Sequence, residues 1–79
     1  MNANEVLAKV TEIIQDVFDN EELVITRDTV AKDVDGWDSL NHLQLMNEIE
    51  DEFDITFTMG EVQGFSNVGE LVDSIMAHI

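Results

Sequence analysis

The chain has 79 residues, 18 acidic against three basic (Lys9, Arg27, Lys32), for a formal net charge of −15, and it has no cysteine. That length supports one domain over 1–79 with a modest core, and the missing thiols exclude disulfides and thiolate metal sites. The clustered Lys or Arg that nucleic acid or an anionic membrane surface demands is absent, whereas partners with basic patches suit this charge. Met1–Asn4 are not followed by a basic region and an apolar run, and no stretch has the apolar length of a membrane span. Neither a secretory signal nor membrane insertion is expected, and a reducing, cytoplasmic setting fits.

Val6, Leu7, Val10, Ile13, Ile14, Val17 and Phe18 recur at helical spacing and predict a first helix over about Ala3 to Phe18. Asn2 and Glu5 make a capping-box pattern at its start. From Asp19 to Trp37 the period is lost, and Leu23, Val24, Ile25, Val30 and Val34 are expected to pin this long loop to the helices. A short helical turn fits around Arg27 to Lys32. A second helix starts at Ser39 with Asp38 as N-cap. Leu40, Leu43, Leu45, Met46, Ile49 and Phe53 are its expected buried side, and Asn41, Gln44, Asn47, Glu48 and Asp51 its wet side. Asp54 to Phe57 reads as extended. Met59 to Gln63 suits a short third helix ended by Gly64. A last helix opens near Ser66 or Asn67, with Asn67 and Glu70 as a second capping box. Its apolar face is Val68, Leu71, Val72, Ile75, Met76 and Ile79. The expected fold is all-α: a small four-helix bundle of three main helices and one short one, with a long first loop.

Asp38-Ser39-Leu40 carries the chemistry. A serine at a loop-to-helix junction is exposed, and free backbone N–H groups at the positive end of the helix dipole favour an attached anion such as a phosphate. Asp and Ser are also ordinary capping residues, so the tripeptide alone is equally a plain helix start. A hydrolase reading would pair Ser39 with His42, three residues on, and with Asp38. Those three lie in one exposed turn with no oxyanion hole in a dry pocket, so no catalytic residues are expected. His42 is expected at the surface near the attached group, and His78 beside the C-terminal end of the last helix dipole. Asp33 to Asp38 fails the calcium-loop pattern, which would put Trp37, Asp38 and Gln44 at its fifth, sixth and twelfth positions. No metal site is expected beyond weak binding by crowded carboxylates. Trp37 is expected to staple the loop to the bundle, and Met46, Met59 and Met76 to fill gaps in the core.

Gly36-Trp37-Asp38-Ser39-Leu40, the helix ending in Glu50-Asp51-Glu52-Phe53, the isolated Ile55 and Asn67-Val68-Gly69-Glu70-Leu71-Val72 together resemble the acyl carrier protein family over essentially the whole chain. The resemblance implies a 4′-phosphopantetheine arm on Ser39, attached by a phosphopantetheinyl transferase using coenzyme A and Mg²⁺. Its terminal thiol carries acyl intermediates as thioesters for acyl-loading and acyl-processing enzymes, in a fatty acid, polyketide or other specialised pathway. A monomer that performs no chemistry of its own is implied. Two further readings stand beside it: an aminoacyl or peptidyl carrier, and an acidic protein-interaction domain without a prosthetic group.

The departures from the resemblance are specific. Carriers of primary fatty acid synthesis tend to be acidic along the face after the serine, whereas Asn41, Gln44 and Asn47 are neutral here. Asp38, Glu48, Glu50, Asp51 and Glu52 keep the ends acidic. Asp38, Leu40, Asn41, Gln44, Asn47, Glu48 and Asp51 form the expected partner face, suited to basic or polar docking patches on a dedicated set of enzymes. Leu45, Met46, Ile49, Ile55 and Leu71 are the residues expected to border any space that shelters a chain.

Overall fold

Asn2 starts the first helix in the computed structural model, which describes residues 1–79. Its side chain accepts from the Glu5 N–H at 2.9 Å, and the Glu5 carboxylate accepts from the Asn2 N–H at 3.2 Å, completing the capping box. Helix α1 runs Ala3–Val17, with Phe18 just beyond it as C-cap. Val6, Val10, Ile13 and Ile14 are buried along one stripe, which packs against both α2 (Ser39–Phe53) and α4 (Val68–His78). A short α3 (Met59–Gln63) completes four helices, and no strand forms. None of the helices is long and apolar enough to cross a membrane. Leu45, Met46, Ile49, Leu71, Val72 and Ile75 close the core from the other side. Each such fully buried aliphatic side chain contributes about 1.5–3 kcal/mol.

The long loop is tied down rather than structureless. Ile25 and Val34 are buried, as is Thr29, which accepts from the Thr26 N–H at 2.8 Å. Val24, expected to help, is 83% exposed. The only helical turn in the loop is a 3₁₀ turn at Ala31–Asp33, later than expected, because Thr26–Thr29 close a tight turn of their own. The carbonyls of Thr29 and Arg27 accept from the N–H groups of Val68 (2.9 Å) and Gly69 (2.8 Å). The first free donors of α4 are thus satisfied by the loop. Gly36 turns the chain with φ +86°, a backbone region that a Cβ disfavours, and so delivers Trp37 toward the bundle. Trp37 staples the loop as expected, with its ring 5.3 Å from Phe18.

Several apolar residues lie outside the core they were expected to join. Leu40 is 76% and Leu43 52% exposed. Helical geometry explains Leu40: at about 100° per residue, nine residues place it half a turn from Ile49, on the opposite side of α2. Met59 and Ile79 are likewise exposed, while Met46 is buried and Met76 half-buried. The second capping box is only half made. Asn67 accepts from the Glu70 N–H at 2.9 Å, but the Glu70 carboxylate reaches the Ser66 N–H, at 2.7 Å, instead of that of Asn67. Asp54, with φ +54°, turns the chain at the end of α2 and starts the irregular segment that leads to buried Phe57.

Candidate functional site

Asp38 caps α2 by accepting from the Asn41 N–H at 2.9 Å, and its carbonyl accepts from the His42 N–H. Ser39 is the first helical residue and is exposed. Its N–H and that of Leu40 have no partner within the protein and sit at the positive end of a 15-residue helix. An exposed hydroxyl beside two free donors fits a phosphodiester. The chain's other serines offer less: Ser74 donates to the Glu61 carboxylate at 2.7 Å, and Ser66 lies before the cap of α4.

His42 is not the free surface residue that was expected. Two residues after Leu40, at about 100° each, His42 lies about 200° around α2, on its core side, and the ring is half-buried. Trp37 Nε1–H donates to His42 Nδ1 at 3.0 Å, and His42 Nε2 lies 2.6 Å from the Val62 carbonyl. An indole can only donate and a carbonyl can only accept, so these partners assign the proton to Nε2. Both ring nitrogens are occupied, and neither is available as a base for Ser39. The chain of bonds ties the loop, α2 and α3 together.

Beside Ser39 lies an open groove of about 450 Å³, bordered by Trp37, His42 and Leu43 on one side and by Met59, Val62 and Gln63 of α3 on the other. The position of α3 therefore sets the groove's far wall. Glu61 fixes that position. It accepts from the Thr58 N–H at 3.0 Å, from Ser74 at 2.7 Å and meets His78 Nε2 at 2.7 Å. The Thr58 backbone bond, then those of Ser74 and His78, lower its carboxyl from 4.5 to about 2. His78 thus joins α4 to α3 and stacks edge-on against Phe57, beyond complementing its own helix dipole.

Of the expected partner face, Asp38, Leu40, Gln44, Asn47, Glu48 and Asp51 are exposed. Asn41 is half-buried and donates to the Gly36 carbonyl at 2.7 Å, which braces the loop before Ser39. Ala31, Met59 and Val62, which also border the groove, carried no sequence signal for a site. Of the residues expected to shelter a chain, Leu45, Met46, Ile49 and Leu71 are buried and Ile55 half-buried. The largest concavity, about 790 Å³, lies elsewhere, between the end of α1 and α2. Glu12, Asp16, Asp19, Glu21, Glu48, Asp51 and Glu52 crowd around it without a basic residue.

Residues 8–75 match the family described as "Phosphopantetheine attachment site". An acyl carrier protein of Exiguobacterium sibiricum is 32% identical over 79 residues, covering all of both chains. The solution structure of a holo acyl carrier protein from Geobacter metallireducens superposes with a TM-score of 0.86 at 41% identity, over 92% of this chain and 84% of that one. A protein assigned as an acyl carrier from Mycobacterium tuberculosis superposes with a TM-score of 0.83 at 32% identity, over 91% and 96%.

Proposed function

Because the chain belongs to the phosphopantetheine attachment family of acyl carrier proteins, we propose that Ser39 is the residue that carries its 4′-phosphopantetheine. The observation that supports this is the exposure of Ser39 at the start of α2, next to two backbone donors without partners. A phosphopantetheinyl transferase joins the Ser39 oxygen to the pantetheinyl phosphate of coenzyme A. The bisphosphoadenosine half leaves, and the hydroxyl proton is released. The arm supplies the thiol that this cysteine-free chain lacks, and acyl groups ride on it as thioesters. The protein is a carrier and not an enzyme; acyl-processing enzymes perform the chemistry.

The test is an intact mass before and after incubation with coenzyme A, Mg²⁺ and a broad-specificity transferase. One phosphopantetheine addition is expected on the native chain and on Ser66→Ala, and none on Ser39→Ala. Addition to Ser39→Ala would overturn the assignment.

Asp38, Leu40, Asn41, Gln44, Asn47, Glu48 and Asp51 form the face that the enzymes meet in this reading, with the chain acting as a single-domain monomer. The neutral Asn41, Gln44 and Asn47 favour a dedicated pathway over general fatty acid synthesis, because few ion pairs can form with a basic docking patch. Introducing Gln44→Glu and Asn47→Asp, both on exposed positions that leave the Asn41 brace intact, should raise turnover by general fatty acid enzymes, measured as kcat/KM on the loaded carrier. Unchanged kinetics would remove this argument for a dedicated pathway.

A further inference from the structure

Two spaces meet at one wall. Behind the Ser39 groove lies an inner pocket of about 80 Å³, set among Phe65, Val68 and Leu71. Ala31, Trp37 and His42 border both spaces, so they separate them. The wall is bonded through His42, to Trp37 at 3.0 Å and to the Val62 carbonyl at 2.6 Å. The indole is also backed by Phe18.

A chain entering from Ser39 must part these half-buried bonds and displace the indole. The inner pocket beyond the wall, at about 80 Å³, is small beside the outer groove of about 450 Å³. The outer groove is different: it is open, with Asp38 and Gln63 beside Leu43 and Met59.

We propose that the Trp37–His42–Val62 hydrogen-bonded wall keeps cargo out of the inner pocket, so that this carrier presents its acyl groups in the open outer groove rather than sheltered between the helices. The proposal rests on attachment at Ser39. Trp37 and His42 act as positioning residues that shape the space next to the arm.

Apo protein is loaded with acetyl-, butyryl- and octanoyl-pantetheine from the corresponding coenzyme A thioesters, with loading followed by intact mass. Cleavage by hydroxylamine is then timed and divided by the rate for the same thioester on free pantetheine. The native chain should give the same ratio at all three lengths. Trp37→Phe, which keeps the aromatic wall and loses the N–H, and His42→Ala should slow octanoyl cleavage about tenfold while leaving acetyl cleavage unchanged, because the longer chain then withdraws from water. Octanoyl protection already present in the native chain overturns the proposal, whatever the variants do. So does a folded Trp37→Phe protein, checked by circular dichroism, in which octanoyl cleavage stays unprotected. Failure to load Ser39 at all overturns the attachment reading itself, and is seen in the mass before any cleavage is timed.

Discussion

Glu61 is one carboxylate shared by two helices. It caps α3 through Thr58 and binds Ser74 and His78 on α4. Its pKa, lowered from 4.5 to about 2, means that the folded state favours the anion. The stability it contributes is therefore complete above pH 4.5 and is lost as the pH falls toward 2. Glu61→Gln should lower the Tm at neutral pH and flatten the decline between pH 4.5 and 2, measured by thermal melts across that range. Glu12→Gln is the needed control, since removing any negative charge from so acidic a chain relieves repulsion. An acid decline as steep in Glu61→Gln as in Glu12→Gln would show that the network contributes nothing specific. Sequence reading did not reach this residue's role: Thr58 and Glu61 lie three apart, but Ser74 and His78 join only when α4 packs back.

The same dependence on packing governs the start of α4. Gly69 donates to the Arg27 carbonyl, and a Cβ built there would sit 3.0 Å from that oxygen and 3.2 Å from the Arg27 Cβ. Alanine gains about 1 kcal/mol of helix propensity. Overpacking costs about 1–3 kcal/mol, and here the neighbour is backbone held by its own hydrogen bond. Gly69→Ala should therefore destabilise by up to about 2 kcal/mol once the gain is offset. Gly60 in α3 has nothing closer than 3.9 Å to the same added atom. Gly60→Ala should stabilise by about 0.5–1 kcal/mol. Urea unfolding of the two variants checks the opposite signs, and equal signs would mean that the Arg27 contact does not limit this site.

Over the whole molecule, attraction between charges is scarce. Lys9–Glu52 at 3.8 Å and the two-pronged Arg27–Asp73 pair at 3.0 Å are both well exposed, so each contributes at most about 1 kcal/mol. Against them stand −15 net charges and a concavity bordered by seven carboxylates. Salt shortens the Debye length from about 30 Å at 0.01 M to about 10 Å at 0.1 M. The Tm should rise with NaCl, and Asp19→Asn should raise it at low salt and lose that advantage at high salt. Asparagine suits the test because it tolerates the φ of +52° at this position. A Tm independent of salt would mean that the carboxylates are too far apart or too well hydrated to repel.

What the sequence determined was local. The stripe of α1, the caps at Asn2, Asp38 and Asn67 and the place of Ser39 at the head of α2 all depend on residues within one or two turns. Leu40 shows a signal that was present and outweighed: its apolar character suggested burial, while its angle around the helix set it opposite Ile49. What only the tertiary structure decided was which faces found a neighbour. Periodicity defines a stripe but does not say how much of it a five-residue α3 will cover, so Leu43 and Met59 were left at the rim of a groove. The bond from His42 to Val62 spans 20 residues and exists only because α3 folds back onto α2. The wall beside Ser39 was therefore illegible in the sequence, since it is made of contacts that chain connectivity alone does not impose.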